Sequence, residues 1–309
     1  MQTSLSKVAI VILNWNGLAD TVECLDSLVK IAYPNYETVV IDNGSRGNDV
    51  QTLKEKYRES IHLISNRKNE GFAGGCNIGI KWALENNAAY VLLLNNDTTG
   101  SKNFLRELVE VARNNERIGI VGPKVYHYDE PNSIATAGGK INFWTGNTPL
   151  IGRSSIDHGQ FDCIKEVDFV SGCALLIKVE TIRKIGMLDE RYFAYYEETD
   201  LCARARRGGW QIVFVPNARI WHKGGRFTKS GEIPMYYMTR NRFLFMKKNA
   251  RGFQFPFFIL YFLFTDLILK MESAKLFRKP KLFNAYIKGA YDGMRIALGA
   301  KTEAPRKLQ

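Results

Sequence analysis

The first half of the chain alternates two hydrophobic patterns. Residues 8–13 are an unbroken apolar run, the signature of a strand covered on both faces. Leu18, Val22, Leu25, Leu28 and Ala32 then recur at helical spacing. Residues 38–41, 61–64, 90–94 and 118–121 predict four further strands, with helices between them, including one over about 75–84 and one over 102–113. Strands alternating with helices predict an α/β fold whose central sheet is mostly parallel and flanked by helices on both faces. In such sheets ligands bind at the carboxyl ends of the strands.

Residues 123–165 break this rhythm and predict irregular excursions near a functional site. Residues 167–178 read as a strand pair or a bent strand around Ser171-Gly172, and residues 180–185 as a short helix. Tyr195 to Asp200 leads into a helix that stops near Gly208-Gly209, where glycine suits a helix end. Residues 211–215 predict a strand stopped by Pro216, with Trp221 to Gly225 following.

Polar clusters stand at the predicted strand ends. The first strand ends in Asn14-Trp15-Asn16-Gly17, the second in Asp42-Asn43-Gly44-Ser45, the third at Asn66 and the fourth in Asn95-Asn96-Asp97. Any one of them suits a turn; four at consecutive strand ends point to a binding crevice. A carboxylate such as Asp97 at the mouth of a buried strand suits Mg²⁺, which takes a few carboxylates plus substrate phosphate oxygens. Asp97 or Thr98 equally fits as the N-cap of the 102–113 helix. Residues 69–79 form a glycine-rich turn into a helix, where backbone can approach a ligand and an anion is favoured; neither the dinucleotide fingerprint nor a Walker loop is present. Glu197, Glu198 and Asp200 cluster at a helix start. They complement the helix dipole or supply a general base, since a Glu near its reference pKa of about 4.3 is ionised at neutral pH. His222, one of four histidines, fits a structural role or a metal or phosphate contact.

Composition narrows the setting. At 45% hydrophobic and 24% charged residues over 309 positions, the chain can bury a sizeable core unaided. Its five cysteines are an odd number without a C-x-x-C pair, which speaks against a disulfide frame or a zinc site and for a reducing compartment. The six-residue apolar run at 8–13 is too short for a signal core, so a cytoplasmic location is expected. The net charge of +12 sits almost wholly in residues 240–309, with fifteen Lys/Arg against four Asp/Glu. On charge alone this is a solvated basic surface, or a site for anionic lipid, nucleic acid or a phosphorylated acceptor.

The motifs taken in order resemble the inverting glycosyltransferases of family two, with the GT-A fold, and within them the rhamnosyltransferase-like branch. The resemblance rests on residues 11–17, 40–45, 69–79, 92–97, 172–177, 186–190, 195–202 and 215–218 and on His222. It implies a nucleotide-diphospho-sugar donor and a divalent cation, Mg²⁺ or Mn²⁺. Asp42 then reads the pyrimidine with Asn14 and Asn16 beside it, and Gly74 to Asn77 line the nucleotide or diphosphate. Asn95 and Asn96 complete the donor side, Asp97 and His222 hold the metal, and Glu198 is the base. Two departures stand out. Asn95 occupies the first position of the D-x-D motif, and Glu198 replaces the usual Asp, which keeps Glu197 and Asp200 open as bases. The branch favours dTDP-rhamnose, while a few pocket side chains would switch the donor to a UDP-sugar for galactofuranosyl, glucosyl or other hexosyl transfer. The implied acceptor is a glycan or lipid-linked glycan in cell-surface polysaccharide synthesis. Nucleic-acid binding, the rival that the basic tail raises, leaves the strand ends unexplained and is not expected.

The expected organisation is a catalytic domain over 1–239 and a helical extension over 240–309. Residues 253–269 are very apolar, yet short for a spanning helix and interrupted by Gln254, Pro256 and Asp266. Flanked by Lys247, Lys248, Arg251, Lys270, Lys275, Arg278, Lys279 and Lys281, they suit an interfacial helix on the inner face of the cell membrane. They also suit a helix pair packed on the catalytic domain or in a homodimer.

Overall fold

A computed structural model describes residues 5–224, 231–272 and 279–300; Gly225, Lys275, Arg278 and residues 301–309 lie outside them. The strands are β1 (Val8–Asn14), β2 (Tyr36–Asp42), β3 (His62–Ser65), β4 (Tyr90–Asn95), β5 (Thr98–Gly100), β6 (Ile118–His127), β7 (Ser133–Thr136), β8 (Ser155–Ile156), β9 (Lys165–Glu166), β10 (Ala174–Lys178) and β11 (Gln211–His222). The helices are α1 (Leu18–Leu28), α2 (Asp49–Tyr57), α3 (Gly71–Glu85), α4 (Phe104–Asn114), α5 (Val179–Ile185), α6 (Glu197–Arg207), α7 (Glu232–Asn249), α8 (Gln254–Tyr261), α9 (Leu267–Glu272) and α10 (Pro280–Ala297).

The sheet runs β3-β2-β1-β4-β10-β6-β11-β5. The β3-β2-β1-β4 half is parallel, as expected. Beyond it, β10 runs antiparallel between β4 and β6, so the sheet is mixed. Side chains alternate between two cores. Val8, Ile10 and Ile12 pack with Leu25, Leu105 and Leu108 on one face. Ala9 and Val11 pack with Ile80, Leu201 and Phe243 on the other. Gly79 lets α3 press onto β1: a Cβ there would stand 2.3 Å from Val11 Cγ1.

Three boundaries differ from the sequence expectation, each for a tertiary reason. α3 starts at Gly71 rather than near 75, because the Phe193 carbonyl accepts from Phe72 N (2.6 Å) and Ala73 N (3.2 Å) and so caps its first turn. α4 starts at Phe104 with Asn103 at its N-cap position; β5 intervenes, so Asp97 and Thr98 are not its cap. β11 passes through Pro216 to His222, with its register to β6 shifting between Val215 and Arg219. A proline is tolerated at such an irregularity because no ladder bond needs its missing N–H.

The expected domain boundary at 239/240 falls inside α7. Arg240, Asn241, Phe243, Phe245 and Met246 of that helix are buried, and Phe243, Phe245 and Met246 join the same core as Val11 and Ile80. α10 packs along α7, where Cβ atoms on Gly289 and Gly293 would meet the Tyr236 and Arg240 carbonyl oxygens at 2.6 and 2.8 Å.

Candidate active site

Where the parallel strands end, amide side chains brace the loops. The Asn14 amide donates to Asp42 Oδ2 (2.8 Å), Asp49 Oδ2 (3.0 Å) and Ser45 Oγ (3.2 Å), and its Oδ1 accepts from Thr21 Oγ1 (2.8 Å) and Gly17 N (3.2 Å). A primary amide carries donors and an acceptor on one short stem, which suits such bracing. Asn16 takes a left-handed φ of 52°, as short amides do, and its Oδ1 accepts from Arg46 N (2.7 Å). Asp42 accepts Ser45 N at 3.0 Å. Asn96 donates to Thr21 Oγ1 (2.9 Å).

The two ends of the glycine-rich turn differ in their surroundings. Asn77 does not line an open ligand site: its amide is bound by Leu188 O (2.9 Å), Leu188 N (3.0 Å) and Glu190 Oε1 (2.9 Å). At the helix start, Phe193 O takes the N–H groups of Phe72 and Ala73. Gly74 borders a cleft of about 550 Å³ together with Asn66, Arg67, Lys68, Glu70, Ile78 and Glu190.

The end of β4 is different. After the Asn96-Asp97 turn, β5 pairs antiparallel with the end of β11, Thr98 opposite His222. This pairing sets His222 Nε2 3.0 Å from Asp97 Oδ1 and 3.3 Å from Asn95 Nδ2. The next residue fastens the corner: Lys223 N donates to Asp97 O (3.0 Å), and its ammonium binds Asp20 (2.8 Å) and Glu23 on α1. These residues fit a small divalent cation. A 3.0 Å oxygen–nitrogen separation is that of adjacent corners of an octahedron with bonds of about 2.1 Å. The buried Asn95 Oδ1 has no hydrogen-bond partner among the described residues, and turning the amide over would offer that oxygen to the same spot. No group of three His, Cys, Asp or Glu side chains suited to a metal exists among the described residues. Such a cation would therefore draw its other ligands from water and a substrate's oxygens, as Mg²⁺ commonly does.

Across the Ser171–Cys173 turn stands α6. The loop before it holds Phe193, Tyr195 and Tyr196 at φ of 64°, 70° and 73°, conformations that cost about 1–3 kcal/mol each and persist only when the surroundings enforce them. Asn241 of α7 enforces them: its Nδ2 donates to the carbonyls of Tyr192 (2.9 Å), Ala194 (2.7 Å) and Tyr195 (2.8 Å). Arg240 adds a bond to Arg191 O. Sequence reasoning missed both residues; the signal was Thr239-Arg240-Asn241-Arg242, four polar residues between aromatic and aliphatic ones.

Of the three clustered acids, Asp200 is fully committed. It is fully buried and bound by Arg204 (2.7 Å), Lys248 (2.8 Å) and Asn249 (2.9 Å). Glu198 lies against Gly172, where a Cβ would stand 3.5 Å from its carboxyl carbon. Burial raises its pKa, and backbone N–H groups of Glu198, Thr199 and Gly172 draw it back down. Glu197 is raised well above the usual carboxylate range by burial and then by repulsion from Glu198. The Cys173 thiol is pushed up to about 12 chiefly by burial, and the Cys173 carbonyl accepts from Asn95 N at 2.9 Å, which ties this turn to the end of β4.

The raised Glu197 pKa has a consequence for stability. Above the ordinary carboxylate range the folded chain holds a proton that the unfolded chain releases, so this group's contribution falls as pH rises. Glu197→Gln, which does not titrate, is expected to melt at or above the parent temperature at neutral pH, with the gap widening as pH rises and closing in acid. Melting curves across pH test this; a variant that melts lower at every pH would show that the carboxylic acid itself stabilises.

The family model for glycosyl transferase family 2 matches residues 9–186, from β1 to the end of α5. The hexosyltransferase Agl10 of low-salt glycan biosynthesis in Haloferax volcanii is 30% identical over 252 residues, covering 79% of this chain and 76% of that protein. The dTDP-rhamnosyl transferase RfbF of Shigella flexneri is 26% identical over 303 residues, covering 94% and 96%. Among solved structures, the mannosyltransferase PcManGT from Pyrobaculum calidifontis, in complex with GDP-Man and Mn²⁺, superposes with a TM-score of 0.59 at 12% identity, over 96% of this chain and 88% of that one. A match over more than half the chain, relatives aligned across most of their length and a shared GT-A architecture agree: the chain belongs to glycosyl transferase family 2 and is a glycosyltransferase.

Proposed function

We propose that the protein moves a hexose, rhamnose by preference, from a nucleotide diphosphate onto a hydroxyl of a glycan or lipid-linked glycan, with inversion. The observation that carries this reading is the Asp97–His222 contact of 3.0 Å at the end of β4, where Asn95 N bonds the carbonyl of Cys173 in the turn that Glu198 lies against. Asp97 and His222 would hold Mg²⁺ or Mn²⁺, with Asn95 beside them. The bound cation supplies positive charge that neutralises the leaving diphosphate. Glu198 accepts the proton of the acceptor hydroxyl as its oxygen bonds to the anomeric carbon and the carbon–oxygen bond to phosphate breaks. One displacement from the opposite face inverts that carbon, and the metal-held diphosphate needs no separate acid. Asp42, braced by Asn14, lies where the donor base is read, and Asn16 and Asn96 keep the surrounding loops in place. The likeness to RfbF over nearly the whole chain favours a dTDP-rhamnose donor.

A thermal-shift series with dTDP-rhamnose, UDP-glucose and UDP-galactofuranose, each with and without Mn²⁺, tests the donor. A ligand at a hundredfold excess over its Kd stabilises the fold by roughly 2.7 kcal/mol, enough to raise the melting point by several degrees. The expected result is a Mn²⁺-dependent rise with dTDP-rhamnose. A rise confined to a UDP-sugar reassigns the donor, and no rise with any nucleotide sugar removes the reading.

A further inference from the structure

The helices after α7 carry a feature that the reaction does not use. α8, a π-helical turn (Phe262–Asp266) and α9 form one helical run. Its inner side is buried, Phe258 and Phe262 meeting Phe243 edge-on at 5.1 and 4.7 Å. Its outer side presents Phe253, Phe257, Leu260, Phe264 and Ile268. Their spacing of three or four residues puts them on one helical face. Phe253 is 85% exposed and Phe264 69%. Trp144, from the segment between β7 and β8, meets Phe257 edge-on at 5.3 Å and adds an exposed ring to the stripe. Single exposed apolar residues are ordinary; a contiguous stripe marks an interaction surface.

Charge selects what covers it. Asp266, the acid within the stretch 253–269, turns inward to Arg242 (3.2 Å) and to the Tyr286 hydroxyl (2.9 Å). Asp292 of α10 accepts from the Tyr236 hydroxyl (2.7 Å). The basic residues that flank the run in sequence, Lys247 and Arg251 before it and Lys279 and Lys281 after it, are exposed. A second copy of the chain would set this positive surface against itself. A layer of anionic headgroups complements it, with the aromatic and aliphatic side chains entering just beneath. No helix among the described residues is long and apolar enough to cross a membrane, which agrees with a run that lies in the plane of the surface.

We propose that the outer face of the α8–α9 run is an in-plane docking surface for a bilayer rich in anionic lipid. Held there, the enzyme meets a lipid-carried acceptor at raised effective concentration; this consequence rests on the proposed acceptor, while the surface itself does not.

Co-sedimentation of the full chain with phosphatidylcholine vesicles, with and without phosphatidylglycerol, tests the surface. The chain is expected to bind the phosphatidylglycerol vesicles and to release as salt rises. Phe253→Glu and Phe264→Glu are each expected to weaken the partition coefficient about tenfold with circular dichroism and melting point unchanged, since these two are the most exposed rings of the stripe. Equal binding to neutral vesicles, no binding to either, or variants that bind like the parent would overturn the proposal. A salt-stable dimer that Phe264→Glu dissociates would assign the face to self-association instead. No sugar transfer enters the readout, so failure here leaves the proposed reaction standing, and failure of that reaction leaves the surface standing.

Discussion

Glu198→Gln is expected to cut the transfer rate by about 10²–10⁴-fold, the usual range for removing a general base, while donor binding persists. The amide matches the carboxylate in shape and cannot take the acceptor proton. Two outcomes test it together: single-turnover transfer should collapse, and the donor-induced rise in melting point should stay. Loss of donor binding would make Glu198 a binding residue, and retained transfer would end its assignment as base. The pH profile gives a second check. A base must be ionised, and burial raises the Glu198 pKa, so the rate should fall in acid through a limb above the ordinary carboxylate range. The residual rate of Glu198→Gln should lack that limb. Glu198→Asp, with the shorter acid usual in the family, should recover part of the rate.

Asp97→Ala is expected to lower transfer about a thousandfold at fixed Mn²⁺, because stabilising the charge of the leaving diphosphate is worth several kcal/mol and each tenfold in rate corresponds to about 1.4 kcal/mol. His222→Ala should cost less, since the carboxylate then remains. If Asp97 and His222, the ionisable pair at this corner among the described residues, hold the cation, Mn²⁺ should bind weakly to the protein alone and tightly once a nucleoside diphosphate is present. Titration calorimetry with Mn²⁺ alone, and then with the nucleotide, separates the two states. Full activity in Asp97→Ala, or equally tight Mn²⁺ binding with and without nucleotide, would move the cation elsewhere.

α7 also shapes the entry to α6, the helix that carries Glu198. Asn241 grips three carbonyls of the left-handed loop, while Lys248 and Asn249 pin Asp200. One helix therefore enforces the strained entry to α6 and engages both oxygens of Asp200. A buried, fully partnered carboxylate is a poor proton acceptor for a substrate, whereas Glu197 and Glu198 each keep a buried carboxylate oxygen without a hydrogen-bond partner among the described residues.

The sequence by itself determined the α/β alternation, the first four parallel strands and the row of polar strand ends. All of these are local: an apolar run, a helical period or an Asn-Asp-Gly cluster is complete within a dozen residues. Asp97 was legible for the same reason, as the last residue of a strand-end cluster. Its partner His222 came only with the family resemblance, because no local pattern links the two. The Asp97–His222 contact depends on the three residues of β5 pairing with the far end of β11, and so short a strand carries no readable period. The proline at 216 hid the end of β11, because whether it stops a strand depends on the neighbour's register. The division of labour among similar side chains was hidden too. Asn14 and Asn77 proved to be braces, Asp200 the core of an ion-pair cluster and Glu198 the acid against Gly172, although the sequence shows only amides and acids in a row. Only tertiary structure decides these roles, because burial, hydrogen-bond partners and backbone strain come from residues far apart in the chain.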